Sequence, residues 1–162
     1  MAKPSSHSRD HLYPSLLDRL AHKPPHESRG VDLETLRESV LRDLNWLFNT
    51  SRPSDGFADY PQVARSVLNY GLPPLSGRPA SSLDFKAVCE SMRQAILNFE
   101  PRFLPHTVKV LAMQDPRAVQ HNLAAFRIEG QLWALPVPLS LLLRTDIDLE
   151  TGQASVIDAA FI

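Results

Sequence analysis

The hydrophobic period of this chain changes at Glu100-Pro101-Arg102, and that change constrains the fold more than any other feature. Before the tripeptide, apolar residues recur every three or four positions, as in amphipathic helices, and after it they alternate, as in strands. Proline lacks a backbone N–H and restricts the residue before it, so a helix is predicted to end at Glu100. Helices followed by strands indicate an α+β domain.

The tripeptide also places a carboxylate at the negative end of that helix, which is unfavourable by roughly 0.3–1 kcal/mol. Arg102 is close enough in sequence to compensate this cost. Two interpretations stay open at this point. Glu100 and Arg102 are either kept for a function at a local cost, or they form a partly exposed ion pair worth about 0–1 kcal/mol.

Periodicity and turn residues predict two to three N-terminal helices packed on a small, mainly antiparallel sheet. Ser81 or Ser82 is expected to cap the last helix. Glu129-Gly130-Gln131 is expected to form a tight hairpin between two strands, and residues 150–153 form a second turn. The predicted helices are 32–49, 61–69 and 82–100, and the predicted strands are 107–113, 123–128, 132–137, 139–148 and 154–157.

The length of 162 residues suits one domain, and we expect residues 31–162 to form it. Residues 1–30 are expected to be a flexible arm that contains a docking segment at 12–20. A helix here that carries Leu16, Leu17 and Leu20 is too short to be stable alone, so it docks on its own domain or on a partner. The four histidines of the arm lack tight ligand spacing, so we expect no metal and no other cofactor.

Charge and cysteine content argue against several classes of function. The formal net charge is −1 and the pI is about 6.6, so nucleic acid is not an expected partner. Cys89 is the single cysteine, which excludes an intramolecular disulfide and indicates a cytoplasmic protein. Cys89 lies on the apolar face of its helix, where we expect a core residue and not a nucleophile. The start of the chain is polar and no apolar run reaches the length of a membrane span, so membrane insertion is not expected.

Trp46 falls nearly opposite the apolar stripe of its helix, at about 100° per residue. Tryptophan is enriched at binding hot spots, so this position is a candidate for contact with a partner. The alternative is that the neighbouring loop 50–60 covers the ring. The sequence does not choose between the two.

The strand 139–149 carries Arg144, Asp146 and Asp148 on one face. Charges of this kind are typical of a sheet edge that is guarded against indiscriminate pairing. A correct partner would then supply a strand together with complementary charges. We therefore expect 139–149 to be an edge strand that receives a partner, with 123–128 as the next candidate.

Several segments, taken in order, resemble one known family. They are Ser15-Leu16-Leu17-Asp18-Arg19-Leu20, the tripeptide Glu100-Pro101-Arg102, and the segments 41–50, 66–73 and 147–152. Together they resemble the TssE-type baseplate subunits of bacterial type VI secretion systems, which are homologous to the lysozyme-like wedge protein of contractile phage tails. Glu100-Pro101-Arg102 corresponds to the signature tripeptide of that family. The resemblance covers about residues 12–157, and residues 1–11 match nothing in it.

The resemblance implies a structural role. Such subunits are similar to the handshake domain of the contractile sheath, sit on the baseplate wedge and offer strands to the first sheath ring. The implied partners are other baseplate wedge subunits and contractile sheath subunits. The residues expected to contact them are Leu16, Leu17, Leu20, Trp46, Glu100, Pro101, Arg102, Arg144, Asp146 and Asp148.

The lysozyme-like label of the family raises one alternative, a glycoside hydrolase that acts on peptidoglycan. Such enzymes use two carboxylates about 5–5.5 Å or 6.5–9.5 Å apart. Glu100 is one candidate, and the sequence gives no reason to choose its partner among Asp84, Asp115, Asp146 or another carboxylate. A neighbouring cation favours the ionised carboxylate, whereas a general acid must carry a proton. No GxSxG motif of a serine hydrolase occurs either, so we expect no catalytic residues.

Overall fold

The computed structural model describes residues 16–21, 33–53, 60–77, 79, 82–113, 122–134 and 137–159, and it shows an α+β fold. The arm prediction for 1–30 falls largely outside these residues, as does most of the loop 50–60. The helices are α1 (Leu16–Ala21), α2 (Leu33–Phe48), α3 (Pro61–Ala64) and α4 (Phe85–Phe99), and the strands are β1 (Lys109–Ala112), β2 (Leu123–Leu132), β3 (Leu139–Asp148) and β4 (Ala154–Asp158).

The two long helices form where the sequence predicts them, because each carries an uninterrupted apolar stripe. The start of α4 differs by a few residues from the prediction. Asp84 is its N-cap, and its carboxylate accepts hydrogen bonds from the backbone N–H groups of Lys86 at 3.0 Å and Ala87 at 3.1 Å. An ionised cap at the positive end of the helix is favoured over the serine caps that we expected.

The predicted helix 61–69 is broken in two. α3 ends at Ala64, and a separate 3-10 turn follows at Val67–Asn69. Ser66 lies between them with an extended backbone, and its hydroxyl accepts a hydrogen bond from the N–H of Leu68 at 3.3 Å. A serine that bonds to nearby backbone competes with the helical hydrogen bonds, and this explains the interruption.

The sheet has four strands in the order β1-β2-β3-β4, and every neighbouring pair is antiparallel. β2 and β3 pair along their whole length, from Leu123 opposite Asp148 to Leu132 opposite Leu139. α2 and α4 pack on one face of this sheet and bury the core. The inward residues include Thr145 and Ile147, as the alternation in the sequence predicts.

The hairpin predicted at Glu129-Gly130-Gln131 is wrong. β2 runs straight through these residues as one strand of ten. A Cβ at Gly130 would lie 2.7 Å from the ring of Phe103, which is buried. Glycine is therefore required for close packing against an aromatic ring and not for a turn. The turn predicted at 150–153 is confirmed, with Gly152 at a φ of +78°.

Among the residues described, none belongs to a helix that is both long and apolar enough to cross a membrane.

Candidate functional site

The tripeptide Glu100-Pro101-Arg102 forms the turn that ends α4. Glu100 is the last residue bonded to the helix, since its N–H donates to the carbonyl of Ile96 at 2.8 Å. Its carboxylate then accepts the backbone N–H of Arg102 at 3.2 Å. The Arg102 guanidinium folds back onto the same carboxylate, with Nε 2.6 Å from Oε1 and Nη2 2.5 Å from Oε2. The result is a two-point ion pair closed within three residues.

Arg102 also connects the end of α4 to α2. Its Nη1 donates to the hydroxyl of Ser39 at 2.8 Å, and its Nη2 lies 2.5 Å from Oδ2 of Asp43. The Ser39 hydroxyl in turn donates to the carbonyl of Leu36 at 2.9 Å. One guanidinium thus holds together residues that are about sixty positions apart in the chain.

The ion pairs continue from α2 to the short helix α1. Arg42 binds Oδ1 of Asp43 through Nη2 at 3.0 Å, and it binds both carboxylate oxygens of Asp18 at 2.7 and 3.1 Å. Five charged side chains therefore form one line across three helices, which we call the ion network: Glu100, Arg102, Asp43, Arg42 and Asp18.

Burial corrects the expectation of a partly exposed pair. The exposed fraction of Glu100 is 4% and that of the Arg102 side chain is 17%. Burial alone lowers the pKa of Arg102, but the hydrogen bonds and charges of Glu100 and Asp43 raise it above its ordinary value. The hydrogen bonds that Arg42 donates to Asp18 likewise raise the pKa of Arg42, against the effect of burial. Both arginines are held firmly in the charged form.

Tyr70 lies near the ion network, and the negative charges of the network affect the pKa of its phenol. Burial raises the pKa of its phenol, and the carboxylates of Asp43 and Glu100 raise it further. The ring meets Phe99, the last residue of α4, edge to face at 5.1 Å between centroids. The loop after the 3-10 turn is thereby fixed against the same end of α4.

Trp46 and α1 lie at the outer end of the ion network. The Trp46 side chain is 47% exposed, and the Arg42 guanidinium lies over its ring at 5.0 Å from the centroid. In α1, Leu17 is 49% exposed and Leu20 is 77% exposed, while the side chain of Leu16 falls outside the described part of the chain. Trp46, Leu17 and Leu20 are exposed apolar residues of the two helices that the Arg42–Asp18 ion pair joins, and we call these three residues the α1–α2 surface. Pro101 is also exposed.

The three charged residues of the predicted edge strand lie on β3 and do not belong to the ion network. Arg144 pairs with Asp146 on the same strand, with Nε 3.0 Å from Oδ1. Asp148 accepts the backbone N–H groups of Glu150 at 2.7 Å and Thr151 at 3.2 Å, and these bonds lower the pKa of its carboxyl. Asp148 therefore closes the turn before β4.

The prediction that 139–149 is an edge strand is wrong for the five residues that pair with a strand on each side. β3 lies between β2 and β4, and its residues Leu143–Ile147 pair on both sides. The next candidate, 123–128, is also interior, because β2 lies between β1 and β3. Strand order depends on pairing between distant segments, and alternation within one strand does not report it.

β1 is an edge of this sheet with unpaired backbone. Met113 donates its N–H to the carbonyl of Ala125 at 2.8 Å, so alternation directs the peptide groups of Val110 and Ala112 away from β2. Arg93 of α4 reaches the neighbouring carbonyl of Val108 at 3.4 Å. The thiol of Cys89 contacts the backbone of Ala112, and burial raises the pKa of that thiol. No described residue hydrogen-bonds to the outward N–H and C=O of Val110.

The ion network does not offer the geometry of a glycosidase. Asp43 and Glu100 both lie 2.5 Å from the same nitrogen of Arg102, so the guanidinium fills the space between the two carboxylates. A glycosidic oxygen would have to occupy that space. Within the described ranges, no three His, Cys, Asp or Glu side chains are grouped so that they could hold a metal ion. The network can position helices.

The sequence-based reasoning missed Asp18, Ser39, Arg42 and Asp43 as members of the site. The one signal it offered is the adjacent pair Arg42-Asp43 in a helix with one apolar stripe. It also missed Asn45, a poor helix former within α2, and Asn49, the residue that follows α2. A break in local propensity of this kind often marks a residue with another task.

The described residues thus form an α+β domain with an ion network that is buried at Glu100, with exposed apolar side chains on α1 and α2, and with a sheet edge at β1. The family model of baseplate wedge protein gp25 matches residues 34–137, which is nearly two thirds of the chain. The chain therefore belongs to the baseplate wedge protein gp25 family, the domain found in the TssE-type subunits that the sequence resembles. No curated protein and no solved structure matches it. Its family is one of structural baseplate proteins.

Proposed function

We propose that this chain is a cytoplasmic subunit of a type VI secretion baseplate, where it joins the wedge complex and starts polymerisation of the contractile sheath. The observation that carries this proposal is the family match over residues 34–137. The matched range contains the β1 edge and four of the five residues of the ion network. The fifth, Asp18, lies in α1 before the matched range.

The contact with the other wedge subunits uses the α1–α2 surface, in this proposal. Exposed leucine and tryptophan side chains rimmed by charges suit a docking surface. Glu100 and Arg102 are buried, so they act by holding α2 and α1 in position, and Pro101 is the member of the tripeptide that is exposed to a partner. Arg144, Asp146 and Asp148 remain candidates for a second contact on the outer face of the sheet.

The contact with the first sheath subunit uses the β1 edge. An extended segment that adds to this edge would hydrogen-bond the outward N–H and C=O of Val110. Leu111 and Met113 are exposed on the outer face beside it, and an added strand would cover them in part. Backbone hydrogen bonds and apolar contact together give such an addition its affinity.

The test uses a bacterial strain that lacks the chain, complemented with variants and carrying a fluorescent sheath subunit. Val110→Pro removes one outward N–H and keeps the pairing with β2, since proline is tolerated on edge strands. We expect this variant to co-purify with wedge subunits and to form no sheath. Val110→Ala, the matched control, keeps the N–H and should form sheath.

Normal sheath assembly with a folded Val110→Pro variant would place the sheath contact elsewhere. Normal assembly in the strain without the chain would overturn the function itself. For the hydrolase alternative, turnover of peptidoglycan by the purified chain that is lost in Glu100→Gln would contradict the structural role.

A further inference from the structure

The outer edge of β4 is occupied by the side chains of Asn45, in α2, and Asn49, the residue that follows α2. The amide of Asn49 accepts the N–H of Ala154 at 2.9 Å and donates to the carbonyl of the same residue at 2.8 Å. One helical turn earlier, the amide of Asn45 accepts the N–H of Val156 at 3.1 Å and donates to its carbonyl at 3.3 Å. Each asparagine thus makes the two hydrogen bonds that a peptide group of a neighbouring strand would make.

These bonds use the groups of β4 that point away from β3. Asp148 donates its N–H to Gln153, so alternation directs Ser155 and Ile157 toward β3 and directs Ala154 and Val156 outward. At the end of the strand, Asp158 forms an ion pair with Arg37 of α2. α2 therefore accompanies the whole outer edge of β4, and the outward peptide groups of Ala154 and Val156 are satisfied.

The chemistry of asparagine fits this task because its side chain carries both a donor and an acceptor. The remaining amide protons are also used, since Asn45 donates to the carbonyl of Leu41 at 3.0 Å and Asn49 donates to that of Asn45 at 2.8 Å. Each amide is thereby held in one orientation. At position 45, within α2, alanine would favour the helix more than asparagine does, so helix stability does not explain that residue.

We propose that Asn45 and Asn49 are specificity residues that close the β4 edge against strand addition, so that an extended partner segment joins this sheet at β1 and not at β4. Unpaired strand edges associate with one another, and proteins use side chains to prevent it. A sheet closed at one edge adds strands in a single direction. The closure of β4 stands by itself, while the use of β1 rests on the proposed function.

The test compares Asn45→Ala/Asn49→Ala with the wild-type full chain. Alanine removes the two amides and clears the space beside the edge, and its helix propensity helps the variant to fold. We expect amide exchange at Ala154 and Val156 to become about 5- to 10-fold faster, the factor for losing roughly one hydrogen bond. At higher concentration we expect the variant to self-associate, with β4 of a second copy as the added strand.

Two further variants make the result specific. Glu34→Ala/Glu38→Ala places the same alanine pair on exposed positions of α2 and should leave both readouts unchanged. Adding Ala154→Pro to the asparagine double variant removes an outward N–H at the first residue of β4, where proline is tolerated, and should abolish the self-association. Should the double variant prove unfolded, Asn49→Ala alone, at an exposed position, takes its place.

Faster exchange together with self-association that Ala154→Pro reverses would support the proposal. Unchanged exchange would overturn it. Faster exchange without self-association would also overturn it, because the asparagine side chains would then bond the β4 edge without preventing strand addition there. None of these measurements uses sheath, so a failure here is distinguishable from a failure of the proposed function, which Val110→Pro tests in cells.

Discussion

The ion network and the outer face of the sheet use the same residue types in opposite ways. Arg102 and Glu100 are two residues apart in sequence, as are Arg144 and Asp146. The first pair is buried and tied to a second helix, whereas the second lies on one strand, partly exposed to solvent. The sequence spacing of two opposite charges therefore does not show how much the pair contributes to stability. That contribution depends on burial and on the other partners of each charge.

The largest effect is expected from Arg102→Met. This change leaves Glu100 buried without its cation, and breaking a buried pair in this way costs about 3–5 kcal/mol. The free energy of unfolding, measured by urea titration, should fall by that amount. In the double variant Glu100→Gln/Arg102→Met no carboxylate is stranded, so the loss should be smaller. A loss below about 1 kcal/mol for Arg102→Met alone would restore the view of a surface pair.

A smaller effect is expected at the outer end of the ion network. Asp18→Asn removes the charge that holds α1 to Arg42, and both side chains are partly exposed. Global stability should change by about 0–1 kcal/mol. Amide exchange across α1 should nevertheless become faster, because a helix of six residues does not persist without its docking contact. Unchanged exchange would mean that contacts other than Asp18 hold α1.

Arg144→Gln is expected to change stability by less than about 0.5 kcal/mol, as substitutions of partly exposed charges usually do. The pair with Asp146 lies within one strand, where Nε of Arg144 is 3.0 and 3.1 Å from the two carboxylate oxygens of Asp146. Urea titrations of the two single variants Arg144→Gln and Arg102→Met compare their losses in the free energy of unfolding directly. A loss of several kcal/mol here would show that the outer face carries structural weight.

The smallest effect concerns pH. Backbone hydrogen bonds lower the pKa of Asp148 below its ordinary value of 3.8, so the folded state favours the ionised form. Its contribution to stability is therefore present above the unfolded pKa and is lost as the pH falls through the lower folded value. A carbon-detected NMR titration should place the Asp148 midpoint below 3.8. A midpoint at or above that value would contradict the hydrogen-bonded turn.

The sequence predicted the elements well where a long run of one period stood alone. α2, α4, β3 and β4 lie where the apolar spacing places them, within a few residues. Gly130 misled the prediction because glycine serves turns and close packing alike, and only the position of Phe103 tells the two apart. The edge strand was misplaced because strand order depends on distant pairing.

The candidate site was predicted only in part. Glu100 and Arg102 were recognised from a local cost at a helix end, and Trp46 from its place on the wrong face of α2. The partners of Arg102 lie 59 and 63 positions away, and Asp18 lies 24 positions from Arg42. The hydrophobic period of one helix or strand carries no information on contacts between residues so far apart in sequence. The burial of the ion network could therefore be seen only in the folded structure.

Coupling energies test the central difference most directly. In one double-mutant cycle, Glu100→Gln and Arg102→Met are combined, and in the other Arg144→Gln and Asp146→Asn, with each free energy of unfolding taken from urea titration. We expect a coupling of about 2–3 kcal/mol for the buried pair and less than about 0.5 kcal/mol for the outer pair. Equal couplings would contradict the account, because the buried ion network would then hold the helices no better than a surface pair does.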